Sequence, residues 1–254
     1  MIKRELNLLF LTFQYYSRIP TPRTEYSEEA LSRAFRYFPL VGTVVGCLGA
    51  LTFIGAGYIL PKEVCVILAM IVMTFATGAI HEDGFSDTFD GFGGGYDRER
   101  ILAIMRDSTS GVYGVTALIL LFGLEFVLLK YLPSDLIPIS LIAVHTSSRM
   151  MPLFMIHEAE YARRDTSKGM HTRRKLSQTT LVIALILSAL SLLLLPLKVA
   201  VWIPLVYFFV YVIFKRIALR KIGGYTGDVL GALIVLCQMS AFLTILITHS
   251  IEWL

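Results

Sequence analysis

An all-α fold, a polytopic membrane helix bundle of about seven transmembrane helices preceded by an N-terminal interfacial or re-entrant helix, is what this 254-residue sequence predicts. Three observations predict it. Hydrophobic residues make up 56% of the chain and charged residues 17%, against roughly 45–50% and 25% in an ordinary soluble domain. The apolar residues are gathered into runs approaching the roughly 20 residues that cross a ~30 Å hydrocarbon core as a helix. The basic residues fall almost entirely between alternate runs. No long soluble block interrupts this pattern, so residues 1–254 read as one membrane-embedded domain.

The first apolar stretch, residues 6–16, is too short to span, and Lys3, Arg4 and Arg18 flank it. It reads as a helix lying in the interface or re-entering the bilayer. Residues 38–60 form the first span, and 64–80 follow after the turn Pro61-Lys62-Glu63. Residues 112–132 and 136–156 make a second closely spaced pair. A third, 181–195 and 199–214, is hinged at Pro196, and the last span runs from about 228 to 251. Cys47, Cys65 and Cys237 lie inside these runs without a CxxC spacing and read as packing residues.

The basic residues orient the spans. The segment before the first span and the stretches 81–111, 157–178 and 215–226 together hold 19 of the 23 lysines and arginines. With seven spans all four segments share one side, which the positive-inside rule makes cytoplasmic. Lys62, Lys130 and Lys198 face the other side. The expected location is the inner membrane, with every polar segment long enough to build a site on the cytoplasmic face. The net charge of +4 is small and points to no nucleic-acid partner.

The densest chemistry begins where the second span ends, in His81-Glu82-Asp83-Gly84-Phe85-Ser86-Asp87-Thr88-Phe89-Asp90-Gly91. On a helix, Asp83, Asp87 and Asp90 fall within about 60° of one another. Like charges on one stripe repel, so the pattern calls for a cation among them. Carboxylate oxygens suit Mg²⁺, with Mn²⁺ the alternative, and such a site completes its shell with water and phosphate. Gly91 and the Gly93–Gly95 run clear side chains from a backbone that a bulky ligand can approach. A solvated acidic loop is the plainer reading of the same residues.

Downstream, Arg106-Asp107 precedes the third span. Asp107 is a candidate to complete a metal shell and Arg106 to pair with it or hold phosphate; a charged helix end capped by Ser108–Ser110 is the alternative. Arg149 lies within the fourth span, one turn after His145, and faces either the bundle interior or, by snorkelling, the nearby surface. Arg163 adds a cation in the same layer. Gly227-Asp228 opens the last span as a phosphate- or metal-facing helix start, or Asp228 is simply its N-cap. The run Thr172-Arg173-Arg174-Lys175 reads as an anchor for anionic headgroups.

The block His81-Glu82-Asp83-Gly84…Asp87…Asp90-Gly91, followed by Ile104-Met105-Arg106-Asp107…Gly111…Gly114, resembles the cobalamin synthase family, the adenosylcobinamide-GDP ribazoletransferases. Arg18-Ile19-Pro20-Thr21-Pro22, Arg149, Tyr161-Ala162-Arg163 and Gly223-Gly224-Tyr225-Thr226-Gly227-Asp228 are similar to further family blocks in the same order. The resemblance implies an integral-membrane, Mg²⁺-dependent transferase. It would join adenosylcobinamide-GDP to α-ribazole or α-ribazole 5′-phosphate and release GMP. Asp83, Asp87 and Asp90 would then hold metal, with Glu82, Asp107 or Asp228 completing it. The general base would be His81 or one of the acids, and Arg106, Arg149 and Arg163 with Gly91 and Gly227 would contact substrate. The partners expected are these two substrates, the lipid bilayer, a second copy of the chain, and other late-pathway enzymes gathered at the same membrane surface.

Two other classes compete. The acidic pattern is similar to that of CDP-alcohol phosphotransferases of lipid headgroup synthesis, but the Ala-Arg pair expected shortly after Asp90-Gly91 is missing. A cation-coupled transporter would bury its acids near the bilayer midplane between interrupted helices, usually within an internal repeat. Here the acids fall outside the apolar runs and no repeat is evident.

Overall fold

The computed structural model of the 254-residue chain describes residues 2–163 and 175–251. Most of the basic run 172–175 therefore lies outside the described residues. The fold is all-α. Twelve α-helices follow one another among the described residues: α1 Ile2–Tyr16, α2 Glu28–Ala34, α3 Phe38–Ala56, α4 Lys62–Thr77, α5 Ile80–Gly94, α6 Arg98–Ile104, α7 Val112–Tyr131, α8 Leu136–Ser147, α9 Met151–Glu158, α10 Gln178–Leu192, α11 Leu197–Ile222 and α12 Gly227–Ile251.

Five continuous helical stretches are long and apolar enough to cross a membrane: Glu28–Ala56, Val112–Tyr131, Leu136–Glu158, Leu197–Ile222 and Gly227–Ser250. A sixth is reached if α4 and α5 count as one broken span. The chain is thus a multi-pass membrane protein, and among the described residues the expected seven is reached when both the broken α4–α5 pair and the shorter apolar helix α10 are counted. The fifth of the expected runs, 181–195, is present as α10, an apolar helix of 15 residues. Helix α1 is not among the spans. It buries Leu8, Leu11 and Phe13, and its Thr12 hydroxyl donates to Ala34 O at the end of α2.

The chain turns sharply after α4. Residues 80–94 form a helix, as the stripe of Asp83, Asp87 and Asp90 requires and a plain acidic loop would not, and it is bent 86° from α4. The bend is made by two successive left-handed residues, Gly78 (φ 68°) and Ala79 (φ 58°). Glycine meets this conformation without penalty, whereas alanine there costs about 1–2 kcal/mol. Gly78 N–H and Ala79 N–H donate to Phe75 O and Thr74 O, closing the end of α4. Arg18 crosses the same corner: its N–H donates to Ala76 O at 2.8 Å, and its side chain lies where a Cβ on residue 78 would stand.

Helix α5 then runs across the end of the bundle, packed most heavily on α12 and α7. At Gly84 the approach is so close that a Cβ would come within 2.8 Å of Asp228 O. The starts of α7 and α12, the ends of α9 and α11, and the α4–α5 corner all converge on this helix. The site is built there.

Candidate active site

The three aspartates of the α5 stripe occupy three different environments. Asp90 is buried, and its two carboxylate oxygens accept from the first amides of α7, Gly111 N–H at 2.7 Å and Gly114 N–H at 2.8 Å. These are orphan donors of a helix N-terminus, and a carboxylate from another helix satisfies them. Glycine is required at both positions, because a Cβ at 111 or 114 would come within 2.5 or 2.3 Å of that carboxylate. Asp87 is half-buried, near enough to Asp228, Asp83 and Asp90 to be repelled by each. Asp83 is exposed at the end of the stripe.

The fourth carboxylate, Asp228, comes from the first turn of α12. Thr226, fully buried, is the cap of that helix: its hydroxyl accepts from Val229 N–H at 3.3 Å. The same hydroxyl donates to Asp228 Oδ2 at 3.2 Å. Asp228 is therefore not the N-cap and is free to face α5. Arg163 reaches it, with Nη2 2.5 Å from Asp228 Oδ2 and 3.2 Å from Met105 O. Arg163 is held by a short pairing of 160–162 with Tyr225: Tyr225 N–H donates to Glu160 O and Ala162 N–H to Tyr225 O. Arg98 braces the same loop, donating to Ile222 O at 2.9 Å and Ala162 O at 2.8 Å. Thr226 was legible, since a threonine just ahead of a long apolar run is a helix-start signal. Arg98 carries no such signal, because its acceptors are backbone carbonyls far along the chain.

Arg149 does not snorkel. It is 0% exposed inside the bundle. Its guanidinium donates to His145 O and faces His81 Nε2 at 3.4 Å, with its carbon 5.7 Å from the centre of the Phe38 ring. A guanidinium has no acceptor, so His81 accepts on Nε2 and carries its proton on Nδ1. Glu82 lies on this side, supplying an opposing charge to Arg149, and its Oε2 is buried. His81, Glu82 and Arg149 thus form a buried cluster behind the stripe.

Asp107 stands apart from the stripe. It is exposed, and its Oδ1 accepts from the Thr109 hydroxyl at 2.7 Å and Thr109 N–H at 2.9 Å. These bonds hold its carboxyl below the usual carboxylate range. Arg106 beside it is exposed as well. Gly91 is buried against Met105 of α6.

Among the described residues no three His, Cys, Asp or Glu side chains are gathered as a ready-made metal cluster. The donor chemistry nonetheless fits a hard cation. Asp87 faces Asp83 and Asp228, all three offer oxygen only, and Mg²⁺ is commonly bound by one or two carboxylates plus substrate phosphate, not by an all-protein cage.

Behind Asp83 and Asp228 a cavity of about 190 Å³ runs inward between α1, α3, α5, α9 and α12. Tyr16, Phe35 and Phe38 line its inner wall.

Fold and site together define a multi-pass membrane protein that presents carboxylates from two helices, with an arginine among them, at the mouth of a pocket. The model of the family described as cobalamin-5-phosphate synthase matches residues 8–246, and the chain belongs to that family. Curated relatives include the adenosylcobinamide-GDP ribazoletransferases of Shewanella amazonensis, 41% identical over 98% of each chain, and of Shewanella putrefaciens, 40% identical over 98% of this chain and 97% of the relative. That of Vibrio parahaemolyticus is 36% identical over 96% of this chain and 94% of the relative. No solved structure matches the chain.

Proposed function

We propose that this protein transfers the phosphocobinamide group of adenosylcobinamide-GDP to α-ribazole or its 5′-phosphate, late in cobalamin synthesis. The observation that carries the reading is the family match across nearly the whole chain, in which the acidic helix lies. A ribose hydroxyl of α-ribazole attacks the phosphorus that bears cobinamide. The bond from that phosphorus to the bridging oxygen breaks, GMP leaves with the oxygen, and the hydroxyl proton passes to a carboxylate.

Phosphoryl transfer asks a protein chiefly for positioning and charge neutralisation. Asp83 takes the hydroxyl proton, since it is exposed at the cavity mouth while Asp90 is held by the α7 amides and Asp228 by Arg163. His81 is the weaker candidate, because its Nε2 is turned to Arg149. Asp87 and Asp228 would hold Mg²⁺ or Mn²⁺, which when bound neutralises the phosphate oxygens. Arg163 and the exposed Arg106 meet the phosphates of the donor. Arg149 acts on α5 from behind as a positioning residue, and Asp107 shapes the turn into α7.

The carboxylates sit where helix ends converge, beside the segments that hold most of the basic residues. By the positive-inside rule this supports a site on the cytoplasmic face, in keeping with an inner-membrane location. Purified protein in vesicles, given Mg²⁺, adenosylcobinamide-GDP and α-ribazole, should release GMP. Release of CMP from a CDP-alcohol in place of GMP would overturn the assignment.

A further inference from the structure

The cavity behind the carboxylates has two unlike ends. At its mouth stand Asp83 and Asp228. Its inner wall is aromatic: the Tyr16 and Phe38 ring centres are 4.5 Å apart, Tyr16 and Phe35 5.7 Å, and Phe35 and Phe38 6.3 Å. Ile156 and Ile234 close the remaining side. At about 190 Å³ it is smaller than the ~300–1,000 Å³ of pockets that take a whole ligand. It therefore receives one part of a substrate.

We propose that this cavity is the subsite for the base of α-ribazole, a flat bicyclic ring with no exocyclic hydrogen-bonding group. The assignment rests on the transferase reading above. The ring lies against Tyr16, Phe35 and Phe38 in the offset or edge contacts that aromatic groups prefer. The ribose turns outward, where carboxylates accept from its hydroxyls and Asp83 stands beside the one that attacks.

The other candidate occupants fail on chemistry. Guanine carries several donors and acceptors on its edges, and behind the mouth the lining offers only the Tyr16 hydroxyl and His81, whose Nε2 is turned to Arg149, among apolar side chains in place of the water they would lose. A phosphate would find no lysine or arginine among the residues that line the cavity. The corrin macrocycle is too large for the volume. The neutral, apolar base is what remains.

Gly227 gives a sharp test. It lines the cavity, and a Cβ built on it meets nothing within 4 Å, so Gly227→Leu fills the cavity without displacing a neighbour. Phe38→Leu removes the central ring as a second variant. The wild type is first assayed for GMP release, which fixes the reaction independently. With each substrate varied in turn, both variants should raise KM for α-ribazole at least ~10-fold, the scale on which an apolar pocket discriminates. KM for adenosylcobinamide-GDP should stay within about twofold. Equilibrium binding of free 5,6-dimethylbenzimidazole to the wild type, lost in Gly227→Leu, reads the cavity without turnover and does not depend on Phe38→Leu folding.

A rise in KM for the donor alone would give the cavity to guanine and overturn the proposal. Unchanged constants and retained binding of the free base in Gly227→Leu would also overturn it. A wild type that releases no GMP would bring down the reaction and the subsite together, whereas GMP release without base binding would bring down the subsite alone.

Discussion

Asp90→Asn should unfold the protein more easily, whereas Asp83→Asn should not, although the two aspartates share one face of one helix. In the wild type both Asp90 oxygens accept from backbone amides, at 2.7 and 2.8 Å. Asparagine keeps one acceptor and puts an NH₂ group against the other amide. The surviving bond falls from a charge-assisted ~1.5–3 kcal/mol to a neutral ~0.5–1.5, and one buried donor is left unpaired at about 1–3 kcal/mol. The net destabilisation is about 2–4 kcal/mol, or a fall in Tm of roughly 5–15 °C for a chain of this size. Asp83 is exposed, and losing a like charge from the stripe should move stability by no more than ~0.5 kcal/mol.

Thermal unfolding in detergent, run beside GMP release, separates these effects. Asp83→Asn and Asp87→Asn should keep their Tm and lose at least ~100-fold in turnover, the scale for removing one charge-stabilising group. Asp90→Asn should lose both. An Asp90→Asn protein with wild-type Tm and abolished activity would refute the capping role and return Asp90 to the metal.

Three further outcomes follow from the same geometry. Arg149→Lys removes the fork that serves His145 O and His81 together, so kcat should fall ~10- to 150-fold. KM for the donor should stay unchanged, and a raised donor KM would make Arg149 a phosphate ligand. Asp107 is held below the usual carboxylate range by Thr109, so its contribution to the 107–109 turn is complete above the unfolded value near pH 4 and lost only as pH falls below it. The protection factors of that turn, the intrinsic exchange rate at each pH divided by the observed one, should therefore be flat from pH 8 to about 5, with Asp107→Asn at pH 7 resembling the wild type in acid. A reporter that is active only outside the cytoplasm should work when fused after Leu254; activity confined to a cytoplasmic reporter would invert the topology.

The bundle was legible because long uncharged runs admit few other fates, and the interior position of Arg149 because a charge at that depth needs partners. The bend was not. Gly78 is the kind of residue that closes a helix in a left-handed conformation, but Ala79 is a good helix former, and its left-handed backbone comes with the packing of Arg18 and the close of α4. The acidic segment left a surface loop open beside the helical stripe, because glycines and aspartates are poor helix formers. Its glycines instead admit close neighbours: a Cβ at Gly84 would meet the backbone of α12, and one at Gly91 the Met105 side chain. The split among the aspartates was invisible for a different reason, since the amides that hold Asp90 lie 21 and 24 residues further on.

That split bears on what the stripe is for. From sequence, like charges in register on a helix face have one evident remedy, a bound cation. The fold supplies two others first. The amides of α7 take up Asp90, and Arg163 neutralises Asp228. The N-termini of α7 and α12 add their positive ends at the same place. Asp87 stays close to three carboxylates, with Arg163 the cation near it, and Asp83 stays exposed beside it. Excess negative charge is thereby narrowed from four residues to one adjoining pair, of which Asp83 stands at the mouth of a largely apolar cavity. A plain acidic loop would have no reason to concentrate its charge this way, whereas a site that must hold a cation, accept a proton and leave a neighbouring apolar pocket free would.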